Sequence, residues 1–380
     1  MTSFIPYSRQ WIEEEDIKAV VEVLKSDWIT QGPAIDKFEQ ALANYCEAKY
    51  AVILSSGTAA LHAAYFASGI GEGDEVITSP ITFAATANAA LYVGARPVFV
   101  DIKSDIGNID PECIKIAITK RTKAIVPVHY SGYPVDLGAI YDIADKHNLI
   151  VIEDACHALG ARYKGNKIGN CEYSVMTVFS FHPVKHIATG EGGAVLTNDE
   201  RLYEKLLIFR THGITKKNLI NKNEGDWYYE MHLLGFNYRI TDIQAALGLS
   251  QLSKLDKFVG RRREIAKQYS NAFKDTVYFD IPIEKDYAFS SYHLYPIRLK
   301  EKYIGIKQEI VQKLKKQGIG TQVHYIPVYL HPYYQGLGYK KGLCPVAEDF
   351  YQRELSIPIY PAMRDKDVNC VIKTVKAFYE

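Results

Sequence analysis

Residues 178–195 read VFSFHPVKHIATGEGGAV. The stretch begins in an apolar run, passes Lys185, and closes on the turn TGEGG before AVLT begins at Ala194. Continuous apolar runs of this length, without strict alternation, predict strands buried on both faces. A lysine between such a strand and a glycine turn stands where open α/β sheets place their functional loops, at the carboxyl end of a strand. A surface lysine on a loop is the plain alternative. A lysine in an environment that depresses its pKa can form a Schiff base.

Further runs of the same kind surround it: AVILS from Ala51, EVITS from Glu75, PVFVD from Pro97, AIVPV from Ala124, LIVIED from Leu149 and VMTVFSF from Val175. Helix-compatible segments at 58–68, 86–92 and 137–147 separate many of them. Strands interleaved with helices predict an α/β fold with a mostly parallel sheet covered on both faces. Ahead of the sheet, a helix is expected over 13–26, with Ile17, Val20, Val21 and Leu24 on one buried face. A second amphipathic stretch carries Phe38, Leu42 and Tyr45, and SDWITQGP between the two reads as a loop. Behind the sheet, a helical run over 241–273, broken near Gly260, leads to a smaller α+β unit. That unit is read as a strand at 291–299, a helix at 307–317, GIGTQVHYIPV as turn and strand, and a closing helix from Asp365. The polar stretch 215–226 reads as a mobile surface loop.

Composition narrows the function classes. The 380 residues suit two or three domains. Lys and Arg number 45 against 44 Asp and Glu, so nothing marks a general nucleic-acid binder. A hydrophobic share of 47% with 23% charged residues is that of a globular chain. No run approaches the ~20 apolar residues of a membrane span, and MTSFIPYSRQ lacks the pattern of a signal peptide. The six cysteines form no CxxC pair, which speaks against structural zinc and a disulfide framework. The chain reads as a reduced, cytoplasmic enzyme. The 28 tyrosines are scattered and point to no function.

Two more features follow strands. SSGTAAL at 55–61 runs through Gly57 into a helix, whose free N–H groups suit a phosphate. A simple turn with Thr58 as cap reads equally well. IEDACHALG puts Asp154 at a strand end, where a helix N-cap is the plain alternative. His157 follows three residues later on about the same helical face, and no third metal ligand follows at motif spacing. A phosphate cradle, an acid and a lysine, each after a strand, together match pyridoxal 5'-phosphate. That cofactor needs a phosphate site, a carboxylate for its pyridine nitrogen and an amine for its aldehyde.

In these motifs the chain resembles the DegT/DnrJ/EryC1/StrS family of sugar aminotransferases. The likeness runs from PYSRQ at Pro6 through SDWITQGP, SSGTAAL, EDACHALG, SFHPVKHIATGEGG and GFNYRITDIQAALG to GIGTQVHYIPV. It implies the aspartate aminotransferase-like fold type I, with residues 1–255 as a large cofactor-binding domain and 256–380 as a small C-terminal domain. It also implies a homodimer with active sites at the subunit interface. Carried over by position, Lys185 holds pyridoxal 5'-phosphate as a Schiff base and shuttles the proton, and Asp154 partners the pyridine nitrogen. Gly57, Thr58 and Ser180 bind the phosphate, Phe83 lies near the ring face, and Asn237 reaches a neighbouring subunit's phosphate. Tyr7, Trp28, Ile29, Thr30, Gln31, Ser56, Gln322, Val323, His324 and Tyr325 match positions lining the sugar-nucleotide site.

Two residues depart from the common pattern. His157 stands where many members have Gln; it is still placed near the ring, able to stack or hydrogen-bond. His186 replaces an Asn after the lysine. Some relatives replace the lysine itself by His and act as dehydratases, so the retained Lys185 argues for transamination. The motifs are most similar to the pseudaminic-acid branch. That branch implies L-glutamate as donor and amination at C4 of a UDP-linked 4-keto-6-deoxy-N-acetylhexosamine. Another nucleotide-linked 3- or 4-keto sugar is the alternative substrate. A non-catalytic regulator or binding protein on the same fold is the alternative of another class. No metal, nucleic acid or membrane is implied.

Overall fold

The structure, a computed structural model, describes residues 4–222 and 224–377. All seven apolar runs become strands of one sheet: β1 (Tyr50–Leu54), β2 (Glu75–Thr78), β3 (Arg96–Phe99), β4 (Thr122–Val126), β5 (Ile150–Asp154), β6 (Met176–Ser180) and β7 (Gly193–Thr197). Their spatial order is β1-β7-β6-β5-β4-β2-β3. Strands β2 to β6 pair in parallel. Strand β7 runs antiparallel between β1 and β6.

Because side chains alternate along a strand, each strand feeds two cores. Ala51, Ile53 and Val151 join Phe38 and Leu42 of α2 (Pro33–Cys46) on one face. Val52, Leu54 and Ile152 join α3 (Gly57–Ala67) on the other. Pro33 suits the first turn of α2, where its missing N–H goes unneeded. The Asp242 carboxylate accepts from the N–H groups of Gly32 (2.7 Å) and Ala34 (2.9 Å) at that same end. Helices α4 (Ala85–Tyr92) and α5 (Leu137–His147) complete the layers around the sheet.

Helices α6 (Asp242–Leu252) and α7 (Leu255–Phe273) lead to a second, three-stranded antiparallel sheet. Its order is β8 (Phe279–Asp280), β9 (Tyr295–Leu299), β10 (Glu354–Ile357). With α8 (Lys307–Lys316) and α9 (Asp365–Lys376) it encloses a separate core of Tyr269, Ile297, Leu314, Leu355 and Val371. The chain start is stitched to this unit: Ile5 bridges Ile319, and Tyr7 accepts from the Ile359 N–H. Among the described residues, no helix is long and apolar enough to cross a membrane.

Four local expectations need correction. The first helix, α1, forms over Glu14–Leu24, but Ile17 (49% exposed), Val21 (37%) and Leu24 (56%) face outward. The inner side is fixed instead by buried Asp16, which accepts from Ser250, Gln251 and Lys254. The helical run breaks at Ser253–Lys254, not Gly260. Buried Leu255, Phe258, Val259 and Arg262 hold α7 together around that glycine and offset its cost of about 1 kcal/mol. The strand expected from 291 begins at Tyr295, because the N–H groups of Ser291 and Leu294 bond to the carbonyls of Gly132 and Ser131. GIGTQVHYIPV forms isolated bridges at Ile319 and Gln322 rather than a strand; the His324 N–H goes to the Glu354 carboxylate (2.7 Å). Within the 215–226 stretch, Glu230 accepts from the N–H groups of Ile220 and Asn221.

Strand β1 is a sheet edge whose outer backbone groups are satisfied by side chains. Glu39 accepts from the Ile53 N–H (2.9 Å), and Arg210 donates to the Ile53 carbonyl (2.7 Å) and to Glu39. Burial pushes the Glu39 carboxyl above its ordinary value, and Arg210 opposes that shift. Removing one partner of a buried ion pair costs about 3–5 kcal/mol. Arg210→Met is therefore expected to lower the unfolding free energy by that amount, read as a lower urea midpoint; an unchanged midpoint contradicts the clamp.

Candidate active site

A cleft of about 1530 Å³ opens at the carboxyl ends of the parallel strands. It is lined by Tyr7, Ser56, Gly57, Thr58, Phe83, Asp154, His157, Ser180, Lys185 and the segment 322–325. Sequence-separated candidates thus meet in one place because parallel strands deliver their C-terminal loops to a single edge.

Strand alternation separates two adjacent acids on β5. Glu153 points to one face, where His129, Ser174 and Thr177 use its carboxylate. Asp154 points to the cleft face. It is 4% exposed, accepting from the Thr86 hydroxyl (2.6 Å) and the Cys156 N–H (3.2 Å). A carboxylate has about four lone-pair sites, so capacity remains for a donor in the cleft. Residues 155–160 form turns rather than a helix, so Asp154 is not an N-cap. Thr86 is held in turn by Thr82 (2.8 Å between hydroxyls).

Lys185 follows β6 in a turn closed by its own N–H to the His182 carbonyl (2.8 Å). Ser8 bonds the Val184 carbonyl (3.1 Å) and straps the N-terminal segment over this turn. Loss of surrounding water pulls the Lys185 ammonium below its ordinary value, while Cys156 and Asp154 oppose the shift. The neutral, nucleophilic amine is thereby easier to reach.

The phosphate cradle is the start of α3. Ser56, not Thr58, is the cap: its side chain accepts from the Ala59 N–H (3.1 Å). That leaves the N–H groups of Gly57 and Thr58 outside the helix's own bonding. A Cβ at Gly57 would sit 2.8 Å from the Ser180 Cβ, so only glycine allows β6 and α3 to converge here. The cradle, the Ser180 hydroxyl, the Asp154 carboxylate and the Lys185 amine fit pyridoxal 5'-phosphate in charge and hydrogen-bonding type.

His157 is buried and packs on His293 with ring centroids 4.3 Å apart. Its Nε2 meets the Tyr325 hydroxyl at 3.0 Å, and its Nδ1 is buried without a partner. Burial first, then Lys185, His324 and His186, push it well below the ordinary histidine value, so it stays neutral. A charge-independent contact role follows rather than acid-base work near neutral pH. His186 lies behind the cleft, bonding the Ser291 carbonyl (3.2 Å) and joining the two units.

Trp28, Ile29, Thr30, Gln31 and Asn237 are exposed and do not line this cleft. Sequence reasoning missed Thr86, Thr82, His293 and the contribution of α8. Thr86 sits in the stretch SPITFAATANA at 79–89, and its signal is a hydroxyl one helical turn after Phe83. Among the described residues no group of three His, Cys, Asp or Glu is placed to hold a metal.

Comparison with known proteins agrees with this chemistry. The sequence profile of the DegT/DnrJ/EryC1/StrS aminotransferase family matches residues 10–376. The spore coat polysaccharide biosynthesis protein SpsC of Bacillus subtilis is 45% identical, covering 98% of this chain and 96% of its own. The UDP-4-amino-4,6-dideoxy-N-acetyl-beta-L-altrosamine transaminase of Campylobacter jejuni is 44% identical, covering 99% and 98%. Helicobacter pylori PseC, described as an aminotransferase in the biosynthesis of pseudoaminic acid, superposes with a TM-score of 0.92. It is 40% identical, with 99% of both chains covered. Profile, relatives and fold coincide over a cleft suited to pyridoxal 5'-phosphate: the chain belongs to the DegT/DnrJ/EryC1/StrS aminotransferase family and uses that cofactor.

Proposed function

We propose that the protein moves the amino group of L-glutamate to C4 of a UDP-linked 4-keto-6-deoxy-N-acetylhexosamine. The product would be UDP-4-amino-4,6-dideoxy-N-acetyl-β-L-altrosamine, a step of pseudaminic acid biosynthesis. The observation that carries the chemistry is the convergence of the α3 N-terminus, Asp154 and Lys185 on one cleft. The names of the Campylobacter and Helicobacter relatives support the sugar. We assign residues 1–255 to the cofactor-binding unit and 256–380 to the smaller one, and the cytoplasm as the site of action.

When bound, pyridoxal 5'-phosphate supplies an electron sink for the bond broken at the amino acid's α-carbon. The chain supplies the rest. The N–H groups at Gly57 and Thr58, with the Ser180 hydroxyl, hold the phosphate. Asp154 keeps a proton on the pyridine nitrogen, and Thr86 keeps Asp154 aimed at it. Lys185 would hold the cofactor's aldehyde, and its amine, readily neutral in this pocket, would take the α-proton of glutamate and return a proton during sugar amination. His157 and Phe83 bracket the ring region as uncharged contacts. One cleft serves both partners, so 2-oxoglutarate leaves before the keto sugar enters, in ping-pong order.

The protein is expected to be a homodimer. Ile17, Val21 and Leu24 of the first helix are exposed, as are Trp28 (56%) and Ile29 (52%) shortly after it in the chain. Exposed apolar side chains grouped in this way support a partner surface. Trp28 to Gln31 and Asn237, which lie outside the cleft, are then available to a second subunit.

Lys185→Ala should abolish turnover and the visible absorbance of the lysine-bound cofactor; retention of both would refute the assignment. Asp154→Asn is expected to slow the glutamate half-reaction about 10²–10³-fold with the fold intact. Thr86→Val removes a bond to a charged group worth ~1.5–3 kcal/mol and should slow the same step about tenfold to a hundredfold. Near-normal rates in both variants would count against the role of Asp154. Val21→Glu combined with Leu24→Glu should turn a dimer into a monomer in analytical ultracentrifugation, whereas a monomeric wild type contradicts the shared interface. Amination of UDP-linked but not dTDP-linked keto sugars supports the substrate, and the reverse preference overturns it.

A further inference from the structure

We infer that the α8 wall of the cleft is the subsite for the nucleoside diphosphate of the acceptor, with Lys307 and Lys315 binding its phosphates. The inference rests on the nucleotide-sugar reading above and adds the residues that grip the nucleotide.

Size gives the first argument. Ligand pockets usually enclose about 300–1,000 Å³, and this cleft encloses about 1530 Å³. The cofactor's determinants lie on the sheet unit at Gly57, Asp154, Ser180 and Lys185, so the volume beside α8 is left for a second, larger ligand.

The stripe on α8 gives the second. Ile310 and Leu314 are buried and tie the helix to the small unit's core. Lys307, Gln308, Gln312 and Lys315 line the cleft. Lys307, Val311 and Lys315 stand at i, i+4 and i+8, with Gln308 and Gln312 beside them, so these residues share one side of the helix. The two lysines are separated by eight residues, or about 12 Å along the axis. Part of the polar side of this amphipathic helix therefore borders a concave site, with Gln308, Gln312 and Lys315 open to solvent at its rim.

The chemistry of the lining gives the third. Gln322 and Gln352 join the same cleft. Both of its lining carboxylates, Asp154 and Glu191, come from the sheet unit. The α8 wall thus offers two ammonium groups and several carboxamides, with no carboxylate from its own unit. The Lys307 amine donates to the Tyr351 carbonyl (2.7 Å), which aims it; burial lowers its pKa to about 8 and the Glu354 carboxylate opposes that shift. Lysine ammonium groups suit phosphate oxygens. Carboxamides suit ribose hydroxyls and a pyrimidine's carbonyl and N–H groups.

Calorimetric titration of the holoenzyme with UDP and with uridine tests the assignment. Lys315→Ala and Lys307→Gln are expected each to weaken UDP binding about tenfold or more, and uridine binding by less than about twofold. Lys316→Ala, on the exposed side of the same helix, serves as the control and should leave UDP affinity unchanged. UDP affinity within about twofold of wild type in both cleft variants overturns the subsite while leaving the sugar-nucleotide reading intact. A wild-type holoenzyme with no affinity for UDP removes the UDP reading and the subsite together. Slowing of the glutamate half-reaction with UDP affinity unchanged gives these lysines to the amino donor, and likewise overturns the inference.

Discussion

A buried carboxylate at the end of β5 sets the terms for the rest of this site. Asp154 has lost nearly all contact with water, and an ionised group so placed needs donors. The Thr86 hydroxyl and the Cys156 N–H supply two. The remaining capacity faces the cleft, where the proposed function gives it a pyridine nitrogen to hold. Burial also works on Lys185, whose ammonium it destabilises. One pocket thus holds a carboxyl group fixed by donors and a lysine that can shed its proton. Those are the two conditions an amine-transfer site requires.

The sheet makes this arrangement mechanically stiff. Asp154 ends β5 and Ser180 ends β6, two neighbours in parallel register. Gly57 opens α3 against Ser180, and Gly193 at the start of β7 pairs with Leu54. None of these positions can shift without disturbing a core on each face of the sheet. The small unit contributes the opposite wall through 322–325, held by Glu354 and Ser356, and through α8. The proposed chemistry therefore lies on the sheet, and the proposed acceptor recognition on the wall opposite it.

Much of this was legible in the sequence, for physical reasons. Each of the seven main strands is a short apolar run flanked by polar or glycine turns, and burial on both faces leaves no competing helical period. Asp154, Lys185 and Gly57 were readable because each follows such a run. The face of α1 was not: its apolar spacing is real, but the buried contact is made by Asp16, and the stripe is spent elsewhere. The break before α7 was misplaced because Gly260 is tolerated inside a well-packed helix. The bonds of Thr86 and the pairing of His157 with Tyr325 join residues 68 and 168 positions apart. No local pattern encodes such distances. The α8 stripe read only as an amphipathic helix, since periodicity gives a polar face without saying whether it meets solvent or a cleft.

Reduction with borohydride followed by peptide mapping tests the central claim most directly. Holoenzyme treated this way should lose its colour and carry one pyridoxyl group, on the peptide containing Lys185. Pretreatment with L-glutamate should prevent the labelling. A label on any other lysine, or an unlabelled chain that remains active, would contradict the account.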